Sequence, residues 1–168
     1  AGPYLVKNIN PTGSSNLGNM ISTGSTAFFS ATDGVNGYEL FATDGTPAGT
    51  ILLKDISAGA ASSYPSQFAV SGMNVFFKAY DSAIGYELWK SDGTPGGTVL
   101  VSDIYSGTSS GNPSDLVALP GGVVFSASTA ATGKEVFFSD GTSAGTILLQ
   151  DIFPGPTNSN PADLYSDG

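Results

Sequence analysis

The phrase Thr43-Asp44-Gly45-Thr46-Pro47-Ala48-Gly49-Thr50 returns as Ser91-Asp92-Gly93-Thr94-Pro95-Gly96-Gly97-Thr98. It returns again as Ser139-Asp140-Gly141-Thr142-Ser143-Ala144-Gly145-Thr146, so one aspartate recurs every 48 residues. An interval of that length marks stacked or radial repeat architectures. In such an array the unit is the repeat, which cannot bury its apolar face alone and depends on its neighbours. The phrase itself is turn chemistry: Asp bonds its own backbone two residues on, Gly supplies a left-handed φ, and Pro presets φ at a corner.

The middle repeat resolves into four short segments rich in β-branched and aromatic residues: Phe68 to Val70, Asn74 to Ala79, Tyr86 to Lys90 and Thr98 to Ile104. No stretch of ten residues has helical spacing, so four strands are predicted. Tight turns join them, and a longer connection up to Leu116 has the composition of a crossover between sheets. Strands two and four hold near-continuous apolar runs, such as Phe76-Phe77 and Val99-Leu100-Val101. Both faces must therefore be covered, as when sheets are sandwiched between sheets. The predicted class is all-β, with antiparallel four-stranded blades 48 residues apart, β-propeller-like.

On this reading residues 1–23 hold strand four of a preceding blade, a crossover and the start of blade one. Residues 24–56 complete the first repeat, 57–104 and 105–152 form the second and third, and 153–168 begin a further one. Tyr4-Leu5-Val6-Lys7-Asn8-Ile9 aligns with Ile51-Leu52-Leu53-Lys54-Asp55-Ile56 and is expected to be a fourth strand. Pro161-Ala162-Asp163-Leu164 aligns with Pro113-Ser114-Asp115-Leu116 ahead of a first strand. Three complete repeats with partial ones at both ends suggest an excerpt of a longer array, or ends covered by other subunits.

Composition narrows the chemistry. Five basic residues against fourteen acidic ones give a net charge of −9, which repels phosphate backbones, so no nucleic-acid partner is expected. The sequence contains neither Cys nor His, which excludes Ser-His and Cys-His catalysis and ordinary zinc sites within it. No apolar run approaches the roughly 20 residues of a membrane span, so no membrane insertion is expected. No signal region opens the chain, and Ala1-Gly2-Pro3 reads equally as a mature N-terminus or as an arbitrary boundary.

With Tyr86-Glu87-Leu88-Trp89-Lys90-Ser91-Asp92-Gly93-Thr94 in view, the chain resembles the ELWxxDGT repeat proteins, large secreted or surface proteins of bacteria. The first repeat substitutes Phe41 for Trp, and the third substitutes Val136 and Phe137. A Gly-Thr-x-Leu-x-x-Asp-Ile segment follows as Gly49 to Ile56, Gly97 to Ile104 and Gly145 to Ile152. The resemblance implies a bacterial protein, secreted or at the cell surface, and brings no catalytic residues.

Two sets of residues are candidates for a site. Glu39 with Phe41, Glu87 with Trp89 and Glu135 with Phe137 each share one face of a strand, where they could stack a sugar ring and accept its hydroxyls. The competing reading is packing, because a packing device must recur in every blade. The turn aspartates Asp44, Asp92 and Asp140, with Asp55, Asp103 and Asp151 at the ends of strand four, could offer oxygens to calcium, against a plainer role in capping turns. Asp33 and Asp81 share a loop position, but Thr129 replaces them in the third repeat. No cofactor beyond calcium is expected, and no acidic pair stands apart from the repeat as a glycosidase pair would.

The expected function is a non-catalytic extracellular structural or adhesive interaction module that meets protein partners or copies of itself. Its contacts would lie in the crossover loops, residues 10–19, 57–66, 105–114 and 153–162. The alternative is a carbohydrate-binding lectin using the per-blade aromatic pockets.

Overall fold

The structure is a computed structural model that describes residues 2–166. Ala1 at the start of the first partial repeat and Asp167 and Gly168 at the end of the last lie outside the described residues. The described residues form twelve strands and no helix. The first sheet contains β1 (Met20–Thr23), β2 (Thr26–Ala31), β3 (Glu39–Thr43) and β4 (Ile51–Lys54). The second contains β5 (Ser66–Ser71), β6 (Asn74–Asp81), β7 (Gly85–Ser91) and β8 (Val99–Ser102). The third contains β9 (Ser114–Leu119), β10 (Gly122–Thr129), β11 (Gly133–Ser139) and β12 (Thr146–Gln150). Each sheet is antiparallel, with strands side by side in chain order; we call the sheets blades 1 to 3.

Registers repeat with the sequence. Phe29 stands opposite Phe41, Phe77 opposite Trp89 and Phe125 opposite Phe137. Because neighbouring side chains on a strand point to opposite faces, Phe76 and Phe77 serve different interfaces. Phe77, Ala79 and Trp89 pack against Phe28, Leu40, Leu53 and Ile56 of blade 1. Phe76 and Leu88 pack against Val123, Phe125 and Phe137 of blade 3. Burying each such side chain contributes about 2 kcal/mol, so cohesion lies between blades. The first strands of the three blades neighbour one another, β1 beside β5 and β5 beside β9. Two side-chain bonds staple blade 2 to blade 3 one full period away: Asp115 N–H donates to Gln67 Oε1 (3.0 Å), and Ser71 Oγ donates to the Leu119 carbonyl (3.0 Å).

Two expectations need correction. The fourth strand of the middle repeat spans only Val99–Ser102. Thr98 is held back in the turn by its bonds to Pro95 and Thr94 carbonyls, and the Ile104 N–H is taken by the Glu87 carboxylate. Residues 4–9 form no strand, since no β3-equivalent lies beside them to complete a ladder. They rest on blade 1 all the same: Ile9 packs on Phe29, Ala31 and Phe41, as Ile56 packs on the next blade, and Lys7 Nζ donates to the Thr50 carbonyl (2.7 Å). Residues 161–164, expected ahead of a first strand, form no strand themselves, and Asp163 has the same left-handed φ (54°) as Asp115, close to that of Gln67 (57°). The three blades do not close into a ring among the described residues.

Candidate functional site

The recurring glutamate is placed by the strand that carries it. Glu39 opens β3, Glu87 lies in β7 and Glu135 in β11, and all three are fully buried. Each carboxylate turns toward the crossover that leaves the same blade. Glu39 accepts the N–H groups of Ile56 (3.0 Å), Ser57 (3.4 Å) and Ser63 (3.0 Å) and the Ser63 hydroxyl (2.5 Å). Glu135 repeats this with Ile152 N–H (3.2 Å), Ser159 N–H (3.0 Å) and the Ser159 hydroxyl (2.5 Å). The carboxylate clasps a loop with no regular structure of its own and satisfies backbone donors that would otherwise be stranded.

Blade 2 departs from the pattern. Gly111 occupies the place of Ser63 and Ser159, so Glu87 accepts only N–H groups, from Ile104 (2.9 Å) and Gly111 (2.6 Å). The electrostatics follow. Burial pushes the Glu87 carboxyl up to about 7, against the lowering effect of those N–H groups, and Asp103 nearby adds to the rise. Burial also raises Glu39 above its ordinary value, in spite of Ser63. Glu135 goes the other way: burial opposes ionisation, but the Ser159 hydroxyl and the surrounding N–H groups outweigh it and hold the carboxyl low.

The aromatic partners are enclosed too. Phe41 and Trp89 are 5 % exposed and Phe137 is 6 % exposed, each inside an apolar contact region. Glu39, Phe41, Glu87, Trp89, Glu135 and Phe137 are therefore brought together within each blade as packing and clasping groups. None is open to a sugar, which corrects the lectin pocket expected from their spacing. Trp89 Nε1 is buried with no partner among the described residues. Leaving such a donor unsatisfied costs about 1–3 kcal/mol, comparable to what the larger ring gains in contact. Trp89→Phe, the residue of the other two blades, is expected to change stability by less than about 1 kcal/mol in urea titrations, against the roughly 3–5 kcal/mol loss normal for deleting a buried aromatic.

The turn aspartates are accounted for by their own turns. Asp44 Oδ1 accepts the Thr46 N–H (2.9 Å) and hydroxyl (2.7 Å), while the Thr46 hydroxyl accepts the Gly49 N–H (2.9 Å). Asp92 and Asp140 repeat these bonds with Thr94 and Thr142. The threonine hydroxyl, and then its N–H, hold all three carboxyls below their ordinary values. Gly49 is required by close approach, since a Cβ there would overlap the Asp44 carboxylate. Each aspartate stands in a different blade, and no group of three acidic side chains able to hold a metal occurs among the described residues. Asp55, Asp103 and Asp151 accept the N–H groups of Gly59, Gly107 and Gly155 and so brace the crossovers.

Sequence reasoning missed the second half of the clasp. Its signal was present: Ser63 and Ser159 each stand 24 residues after the glutamate they serve, as does Gly111 after Glu87.

This geometry defines a repeat protein of four-stranded antiparallel β blades. No family model matches the chain, and no curated protein matches it. Among solved structures it is similar in fold to a chain described in a structural and mechanistic study of two prolyl endopeptidases, with TM-score 0.50 and 14% identity. The similarity covers 77% of this chain and 19% of that one, so the likeness is to about a fifth of the other's length and is one of fold. No helix among the described residues is long and apolar enough to cross a membrane.

Proposed function

We propose that the chain is a non-catalytic, propeller-type interaction module of a secreted or cell-surface bacterial protein of the ELWxxDGT repeat kind. It would present its crossover loops to partners. The observation that carries this reading is the use of the recurrent glutamates: each fixes a crossover from within while the loop tip stays outside. Ala58, Gly59, Ala60 and Ala61, and likewise Ser106 to Ser109, are exposed on loops whose bases are clasped. A rigid base under a variable tip is the usual arrangement of binding loops.

Beads coated with the chain should be retained on immobilised extracellular proteins or glycans. Retention should fall when residues 58–61 and 106–109 are replaced by Gly-Ser, with the melting temperature unchanged. Equal retention after loop replacement, or hydrolysis of peptide, ester or glycoside substrates by the chain, would overturn the reading.

A further inference from the structure

Four crossovers in this chain share one backbone form, and only three of them are clasped. Residues 10–16 repeat the course of 57–64, 105–112 and 153–160. Asn16 has a left-handed φ (43°), as Tyr64 (48°), Asn112 (48°) and Asn160 (52°) do. The Thr32 N–H donates to the Ser15 carbonyl (3.1 Å), as the Tyr80 N–H does to Ser63 (2.8 Å) and the Ser128 N–H to Gly111 (2.7 Å). Ile9, Asn10 and Ser15 therefore hold the places of Ile56, Ser57 and Ser63, whose donors Glu39 gathers. The chain has three glutamates, and each serves the crossover of its own blade, so none reaches this set. The Asn10 N–H turns to the Ser15 hydroxyl instead (3.1 Å). Among the described residues the Ile9 and Ser15 N–H groups have no acceptor.

Residues 4–9 also border an open groove of about 260 Å³ on the outer side of blade 1, lined mainly by apolar groups such as Leu5, Ile9, Leu17, Met20 and Phe29, with Gly45 at its edge. The corresponding glycines at the two junctions within the chain are covered. A Cβ at Gly93 would lie 3.5 Å from the Phe28 ring, and one at Gly141 would lie 3.1 Å from Phe76 and 3.3 Å from Lys90 Nζ. Nothing lies within 4 Å of the same point at Gly45. Residues 4–9 make no ladder bonds, so their backbone groups are unpaired along this groove.

We propose that the groove takes one extended strand of a partner protein, antiparallel to residues 4–9, in which a glutamate is followed by an apolar residue and, three places on, by an aromatic. The glutamate accepts the Ile9 and Ser15 N–H groups and the Ser15 hydroxyl, in charge-assisted bonds like those of Glu39. The apolar residue meets Phe29 as Leu40 meets Phe77. The aromatic covers Gly45, because Lys90, three places after Glu87, lies against Gly141. Strand addition of this kind draws affinity from main-chain bonds and specificity from alternate side chains. The assignment uses strand pairing instead of the loop tips at 58–61 and 106–109, and so goes beyond the interaction-module reading.

The order Glu135-Val136-Phe137-Phe138 in β11 meets these requirements, so a peptide of residues 132–140 is the probe. Fluorescence polarisation of the labelled peptide, titrated with the full chain, should show saturable binding with a Kd below about 1 mM. Glu135→Ala in the peptide should weaken binding at least about tenfold. Met20→Lys in the chain should do the same at an unchanged melting temperature, since Met20 lines the groove and is 59 % exposed. Absence of binding up to about 1 mM, equal binding of the Glu135→Ala peptide, or binding indifferent to Met20→Lys would overturn the proposal. So would dimers of the chain that Met20→Lys dissolves and the peptide does not, which would assign the groove to a second copy. If the peptide fails while bead retention still depends on the loop tips, the strand assignment falls and the module reading stands.

Discussion

Glu39→Ala is expected to lower the stability of the chain by about 4 kcal/mol, as read from urea denaturation. The carboxylate is fully buried and is the acceptor for Ile56, Ser57 and Ser63 N–H groups and for the Ser63 hydroxyl. Truncation leaves several donors without partners, at about 1–3 kcal/mol each where water cannot enter. It also frees the crossover that seats Ile56, which is 6 % exposed among Phe77 and Trp89. Ser63→Ala removes one donor and no acceptor, and should cost only about 1–2 kcal/mol. Equal effects of the two substitutions would show that the glutamate is not the hub of the clasp.

The second large effect is a pH dependence located in blade 2. The Glu87 carboxyl is raised from its ordinary 4.5 to about 7 in the folded chain. The folded state therefore holds the proton more tightly than the unfolded state. Its contribution to stability is complete below about pH 4.5 and is lost as pH rises through 7. The shift corresponds to a change on the order of 3 kcal/mol across that window. The turn aspartates act with the opposite sign: their depressed carboxyls stabilise the fold above the ordinary aspartate range, and that help disappears on further acidification. Stability should thus be greatest in mildly acidic solution. Gly111→Ser supplies the hydroxyl that blades 1 and 3 possess. A Cβ at Gly111 would lie 2.7 Å from Glu87 Oε2, so the flexible end of the glutamate must give way by a few tenths of an ångström. Because Ser63 and Ser159 sit in the corresponding places, the variant should be the more stable chain at pH 8 and should flatten the loss between pH 4.5 and 7. Melting curves across that range check it, and an unchanged slope would remove Glu87 as the source.

Much of this fold was legible because local chemistry and period agree. The Asp-Gly-Thr phrase encodes its turn within one short window, and the three copies make the same bonds. The paired apolar residues Phe28-Phe29 and Phe76-Phe77 announced sheets covered on both faces. What was not legible depended on distance. The end of β8 is set by Glu87, which lies 17 residues before the Ile104 N–H it captures, and no propensity of residues 98–104 contains that information. The apparent sugar-facing pair of Glu and aromatic followed correctly from strand geometry, but which medium the face met depended on the neighbouring blade.

The staples between blades 2 and 3 carry a consequence for how such chains can grow. Gln67 reaches Asp115, and Ser71 reaches Leu119, over a span equal to one unit of the tandem sequence. Contacts of this kind have no preferred total length, only a preferred spacing. Duplication of a whole segment would recreate its own fastenings at each new junction, whereas gain or loss of a fraction of a segment would leave both donors misaligned. Lineages carrying this architecture can therefore lengthen or shorten by copying complete units without first evolving new joints.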